Sequence, residues 1–526
     1  MIRIPMTLRT GLTILVLAFI ATSCKPLYRD AADVEYRKHG WDIGEDGSEE
    51  PDDVGDTDQT PDVIDAGDTA PDVSDGGDTL DVRDSTPTDA TDTEAPDTLD
   101  AADTDETGDT AAPVDTSDTS DTTDTSDTAD GDTGSPPASP CGPNKGLQAG
   151  ASWPALGYCP TRHGRSSIAG PQMLSKKGTI KVTGTLSELV VDKTGAVYAG
   201  GEGGKLHKFS WDASQTKIVK HWTFSPPTPM TITSSPVVAH DGSVLVGVGA
   251  TLYRVDPTSG GQLGSLSLGN GPIYGPVFAT KTRLYANTRS QLVAVDWPIG
   301  GGASPSIAWR ATGNGKLRSA PAVGPSGGDV YFADQAGSVH AYDAQGVKQW
   351  SFSDQSLFET VTNHPTVSAN GTVYVAGTTF VSGGTSTAAV AAIDPTGKLE
   401  ASYTENTILT GPITLGHNGE IYGIFSRSVV KLQQTSFGMS KTWDYTLGQQ
   451  TDGGLSVDKD GTIYAGSRDL NVHGISDIGS SAQTESKGFV PQRLSTTPVL
   501  SPAGRIFVAG IETATGSDKG VLYMLE

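Results

Sequence analysis

From Val190 to the C-terminus the chain alternates apolar and polar residues in short runs, each broken by a glycine-centred turn, and the same phrase returns eight times. The turns fall at Thr194-Gly195, Asp241-Gly242, Thr280-Lys281, Ser326-Gly327, Asn370-Gly371, Asn418-Gly419, Asp460-Gly461 and Ala503-Gly504, a period of about 44 residues. The fourth copy shows the grammar. Ala320-Pro321-Ala322-Val323 leads to a turn at Gly324 to Gly328, then Val330-Tyr331-Phe332-Ala333, a turn at Gln335-Ala336-Gly337, Val339-His340-Ala341-Tyr342-Asp343, and Lys348-Gln349-Trp350. Alternation with a period of two predicts four antiparallel strands per copy, with Val323, Val330 and Phe332 on one face. Four short strands per 44-residue repeat predict an all-β, eight-bladed β-propeller, or a seven-bladed one if the first unit only closes the ring.

The copies agree in detail. Val197-Tyr198-Ala199-Gly200, Val244-Leu245-Val246-Gly247, Val373-Tyr374-Val375-Ala376 and Ile463-Tyr464-Ala465-Gly466 hold one strand position. Asp256, Asp296, Asp343 and Asp394 follow the next strand, where aspartate caps the amides of its own turn. This unit, with its closing Gly-x-x-x-Trp, resembles the repeat of the PQQ-like, or quinoprotein-type, propellers. The resemblance covers residues 152–526 and implies that a tryptophan of the fourth strand docks on an adjacent blade. Trp222, Trp309, Trp350 and Trp443 hold that position, with Leu266 or Leu268 and Tyr403 replacing it elsewhere. The stretch Ser152-Trp153-Pro154-Ala155-Leu156-Gly157 and Arg162-His163-Gly164-Arg165-Ser166 resembles the lead-in of such propellers. The last unit ends at Glu526 after its third strand, so Gly178 to Val182 are expected to supply the fourth and close the ring.

Ahead of the repeats the composition changes. Residues 41–140 hold 33 acidic residues against one basic residue, Arg83, a net −32 beside −26 for the whole chain, and after Trp41 no aromatic. Such a segment repels itself and has nothing to bury, which predicts an extended, disordered Asp/Thr-rich tether. The first residues carry Arg3 and Arg9, an apolar run from Thr10 to Ile20, and then Ala21-Thr22-Ser23-Cys24. That order resembles a bacterial lipoprotein signal. The expected organisation is a signal peptide at 1–23, a tether at 24–140 acylated on Cys24, a lead-in segment at 141–177 and the propeller at 178–526. Cys141 and Cys159 remain, in a chain exported to an oxidising compartment, and are expected to form a disulfide; free thiols or a metal pair are the alternatives.

Candidate chemistry is sparse. Alcohol-oxidising members of the resembled family place an adjacent cysteine pair and a tryptophan beside the quinone, and Glu, Asn and Asp on calcium. No adjacent cysteines occur in this chain, so no cofactor, metal or catalytic residue is assigned. His163, His207, His221, His240, His340, His364, His417 and His473 follow no metal or triad spacing. Ser235-Pro236, Gly275-Pro276, Ala320-Pro321, His364-Pro365, Gly411-Pro412 and Thr497-Pro498 precede equivalent strands, a structural role at the ring mouth. Tyr158, Trp211 and Trp297 are the aromatics expected at loop positions. The compartment, the acidic tether and the lack of a basic stripe argue against nucleic acid.

The reading is a bacterial cell-envelope lipoprotein, most simply of the outer membrane because Lys25 replaces the aspartate of inner-membrane retention. It is membrane-bound through its lipidated N-terminus, with a monomeric head acting as a non-enzymatic binding or scaffolding module for an envelope or extracellular protein or glycan. A non-catalytic relative within the resembled family is an outer-membrane assembly lipoprotein without such a tether. The alternative is a periplasmic or surface-facing enzyme, of hydrolase or dehydrogenase type, with a pocket on one propeller face.

Overall fold

The computed structural model describes residues 146–526 apart from 231, 233, 270, 299–303, 382–384 and 514–517. The signal peptide, Cys24, the tether and Cys141 lie outside the described residues.

Eight antiparallel sheets succeed one another along the chain. Seven are four-stranded meanders: blade 1 (190–224), blade 2 (237–267), blade 3 (274–312), blade 4 (322–353), blade 5 (366–405), blade 6 (414–446) and blade 7 (455–489). Blade 8 combines strands from 493–525 with Lys176–Thr183 from the N-terminal side, which pairs antiparallel with Lys519–Leu525. The ring therefore closes as the sequence predicts, with the closing strand starting two residues earlier at Lys176. Both chain ends share one sheet, so unzipping the ring requires breaking a full strand pairing. The first repeat is a complete blade, and the blade number is eight.

Burial follows the two-residue alternation. The core consists of apolar layers between neighbouring blades: Tyr198 and Val246 share one, Tyr285 and Phe332 another, Val339 and Val375 a third, and Tyr422 and Ile475 a fourth. Each predicted tryptophan reaches across such a layer. The indole N–H of Trp222 donates to Pro257 O at 3.2 Å, that of Trp309 to Ala344 O at 3.0 Å, that of Trp350 to Pro395 O at 2.9 Å and that of Trp443 to Asp477 Oδ1 at 3.0 Å. Three of the acceptors lie in the turn between the third and fourth strands of the next blade, and Asp477 ends the third strand just before that turn. That turn needs glycine at the contact. A Cβ on Gly346 would sit 2.7 Å from the Trp309 ring and one on Gly397 2.8 Å from Trp350, and both have φ near +90°. The aspartates cap these turns as expected: Asp343 accepts from the amides of Gln345 and Val347, and Asp394 from those of Thr396 and Lys398. Asp296 is the exception, paired instead with Arg283 at 2.8 Å.

Trp211 is not a loop aromatic, whereas Trp297 sits in the expected connection after the third strand of blade 3 but is buried. Trp211 lies on the strand Leu206–Asp212, and its ring comes 2.5 Å from where a Cβ on Gly178 would be, on the closing strand of blade 8. Trp297 is 2 % exposed and its ring packs on Gly264 of blade 2 at ordinary contact distance, 3.6 Å from where a Cβ would be. Blades 2 and 8 carry no tryptophan on their fourth strands, and in both gaps the following blade supplies the ring in reverse. Tyr158 is buried as well, edge-on to Trp153 at 5.4 Å between ring centroids.

The lead-in segment forms a strap across the base of the ring. The last residue of each innermost strand has an amide facing the central channel, and in six blades the strap accepts its hydrogen. Val191 N donates to Trp153 O at 2.7 Å, Val238 N to Pro154 O at 2.8 Å, Val323 N to Pro160 O at 2.8 Å, Val367 N to Thr161 O at 2.8 Å, Leu415 N to His163 O at 2.9 Å and Val457 N to Gly164 O at 2.9 Å. Unpaired, these buried amides would each cost about 1–3 kcal/mol.

Three outcomes are expected. A chain beginning at Pro171 loses all six bonds together with the buried Trp153 and Arg162 side chains, and should show no cooperative melting transition by calorimetry. Trp350→Ala should lower stability by about 3 kcal/mol in a denaturant titration, through lost aromatic burial and one interblade bond. Phe437→Ala, at a fully exposed position, should stay within about 0.5 kcal/mol of the parent.

Candidate functional site

Because the innermost strands all run from mouth to base, equivalent residues of the eight blades meet around the axis. The residue three before the last of each innermost strand is Glu188, Ser235, Gly275, Ala320, His364, Pro412, Gly454 and Thr497. All eight line one cavity of about 230 Å³ in the channel, whose floor is the strap through Leu156, Gly157, Arg162 and Gly164. The wall is rich in hydroxyls: Thr185, Ser187, Ser234, Ser319, Thr410 and Thr414 are among its residues. Ser234 Oγ, Ser319 Oγ and Thr410 Oγ1 are buried and make no hydrogen bond.

Arg162, Glu188, Glu202, Arg318, His364 and Asp452 all line the cavity, and burial displaces three of them from their ordinary pKa. Arg162 rises from the strap on a backbone with φ of 64° and is 1 % exposed. Its Nε donates to Pro321 O at 3.0 Å, Nη1 to Leu156 O at 2.7 Å and Nη2 to Gly275 O at 2.9 Å. Among the described residues no carboxylate is paired with it, and burial lowers its pKa to about 9, which leaves it a cation at neutral pH. His364 is pushed down to about 3 by burial and then by the Arg162 charge, so the ring is neutral. Its Nδ1 lies 3.3 Å from Pro365 O, an atom that only accepts, which puts the proton on Nδ1 and leaves Nε2 as an acceptor. Glu188 is raised to about 7 by burial, against the opposing effect of Thr497, whose amide donates to Glu188 Oε2 at 3.0 Å. A fourth group, Asp452, is taken up in a bidentate pair with Arg468 at 2.8 and 2.5 Å.

The recurring dipeptide marked six of the eight ring positions, five by its first residue and Pro412 by its second, but only as structure. Glu188 escaped because blade 1 reads Glu188-Leu189, without the proline that signals the site elsewhere. Arg162 was visible only as part of the lead-in stretch. Of the predicted disulfide pair, Cys159 is fully buried at the strap, with Sγ 3.1 Å from His163 Nε2 and 3.2 Å from Thr161 Oγ1. Its expected partner Cys141 falls outside the described residues.

Comparison with known proteins places this geometry. Residues 248–410 match the family model of the outer membrane protein assembly factor BamB. The solved quinohemoprotein alcohol dehydrogenase from Comamonas testosteroni is similar at 11 % identity, over 72 % of this chain and 81 % of that one, with a TM-score of 0.51. A europium-containing methanol dehydrogenase is similar at 11 % identity, over 72 % of this chain and 98 % of that one, with a TM-score of 0.53. The head shares the propeller fold of these quinoprotein structures. BamB from Moraxella catarrhalis is 15 % identical over 67 % of this chain and 100 % of that one, with a TM-score of 0.46. No curated protein sequence matches the chain.

The dehydrogenase likeness raises the question of a quinone held by calcium, and the donor set of this propeller does not fit one. Asp452 is consumed by Arg468, Glu188 holds its proton up to about pH 7, and no tryptophan lines the cavity. A hard divalent cation requires several ionised or carbonyl oxygens converging on one point. Among the described residues no group of three His, Cys, Asp or Glu side chains is placed to hold a metal.

The raised Glu188 pKa has a consequence for stability. A carboxyl that binds its proton more tightly folded than unfolded makes the fold progressively less stable as pH climbs from about 4.5 to about 7, with no further change above. Glu188→Gln should therefore match the parent near pH 4.5 and exceed it by about 1–3 kcal/mol at pH 8 in denaturant titrations.

Proposed function

We propose that the protein is a bacterial cell-envelope lipoprotein, acylated on Cys24 and stapled by a Cys141–Cys159 disulfide, whose PQQ-like propeller is a non-enzymatic module that binds an envelope protein. The observation that carries this reading is the match of residues 248–410 to the assembly-factor family. It spans the end of blade 2 through blade 5, where the head also departs most from its own repeat. In blade 5 the second and third strands, Val373–Val381 and Thr385–Ile393, each run nine residues, whereas Val330–Ala333 of blade 4 has four. The extra length lifts a hairpin on the mouth side, with Phe380 37 % exposed. A rigid ring presenting an extended hairpin beside its mouth suits recognition of a protein surface. The strap places Gly146 at the opposite, basal side, beside Thr280.

A photo-crosslinking residue at Phe380 in the full-length protein, expressed in its native envelope, tests the reading. A single reproducible protein adduct at position 380, absent at Phe437 on the base and retained in the outer-membrane fraction with an acylated Cys24, is the expected result. A mature chain lacking lipid, or identical adducts at both positions, overturns it.

A further inference from the structure

We propose that the central cavity is a binding site for a small polyhydroxylated carboxylate of the hexuronate class, with the Arg162 guanidinium receiving its carboxylate. This deepens the reading of the head as a binding module and rests on it.

The argument begins with an unmet charge. A guanidinium has five N–H donors, and Arg162 spends three of them, one from each nitrogen, on neutral carbonyls. One N–H on each terminal nitrogen is left, the number that an end-on carboxylate fork takes up. A buried cation without an anion is costly, and in folded proteins buried charges are paired. Here no carboxylate of the cavity lining is ion-paired with it: Asp452 is held by Arg468, Glu188 accepts from the Thr497 amide, and Glu202 lines the same cavity without an ion pair to Arg162.

The remainder of the wall selects among anions. Ser234, Ser319 and Thr410 carry buried hydroxyl oxygens with no hydrogen bond, and the neutral His364 offers an acceptor at Nε2. Such a wall matches a ligand bearing several hydroxyls and gives a bare anion little to bind. Size narrows it further. The cavity holds about 230 Å³, equal to roughly eight waters of bulk liquid, which is room for one sugar ring. The strap blocks the base, so a polymer could enter only by an end residue from the mouth.

The test is isothermal titration of the full mature protein with glucuronate, glucose, acetate and inorganic phosphate at constant ionic strength. Glucuronate is expected to bind at least tenfold more tightly than each of the other three. No glucuronate binding up to millimolar concentration overturns the proposal, as does glucose, acetate or phosphate binding within threefold of glucuronate. Arg162→Gln should lose at least tenfold in glucuronate affinity, and parental affinity in that variant overturns the assignment. Since Arg162 also ties the strap to blades 3 and 4, Asn363→Trp at the cavity wall provides an independent arm that leaves those bonds in place. It should block glucuronate, and unchanged affinity there overturns the site. None of these measurements touches the hairpin at Phe380, so failure of the cavity proposal and failure of protein docking are separately readable.

Discussion

The inner edge of each blade is the constraint from which the architecture follows. A propeller removes its outer and lateral edges by packing, but its innermost strands still present backbone amides to the axis. In this chain those strands are only two or three residues long in most blades, too short to be held by their single sheet neighbour alone. The strap meets six of the exposed amides in turn. In doing so it closes the base, gives the channel a floor, and fixes Arg162 on the axis. Folding and site formation are thus one event: the bonds that complete the sheets also make the cavity.

The outer part of the ring is held by a different repeated contact, an indole of one blade on the turn of the next. The contact is directional where a fourth strand has its tryptophan, as at Trp222, Trp309, Trp350 and Trp443. It runs backwards where the tryptophan is missing, with Trp211 on Gly178 and Trp297 on Gly264. Blade 5 uses a third solution, with Tyr403 edge-on to Phe425 of blade 6 at 5.6 Å. At these gaps a flat aromatic side chain fills the space between blades, and the blade that contributes it is interchangeable. A strict count of matching repeats therefore underestimates the regularity of the packing.

This interchangeability explains what was legible in the sequence. Strand order, blade number, the four docking tryptophans, the aspartate-capped turns and the closure through Gly178 to Val182 all follow from local grammar that recurs with the repeat. Trp211 looked like a loop aromatic, and the packing of Trp297 from its loop went unseen, because their partners are glycines in distant segments, and a glycine opposite a ring leaves no local signal. The site was harder to see for a related reason. Glu188 and Arg162 are 26 positions apart in the sequence and belong to different elements, and only the passage of the strap beneath the blades brings both to one cavity.

Eightfold repetition by itself would give a channel lined by eight like residues and no reason to bind one ligand over another. Function enters where the repeat is broken. Of the eight ring positions, six carry hydroxyl, apolar or glycine residues, one carries a neutral imidazole and one a carboxyl whose burial keeps it protonated up to about neutral pH. A fully buried cation without a carboxylate partner is brought to this cavity from outside the repeat, on the strap. A cation fixed by three carbonyls cannot swing out to solvent to relieve its desolvation, and the carbonyls cannot neutralise it. The fold holds that charge in place through the same segment that completes six inner strands, so mutation cannot easily remove the strap without losing the ring. Selection can instead act on the eight ring positions one at a time, because exchanging Ser235 or Thr497 leaves the blade pairing intact while changing what meets the guanidinium. The repeat supplies the frame, and the departures from it decide which ligand the frame can hold.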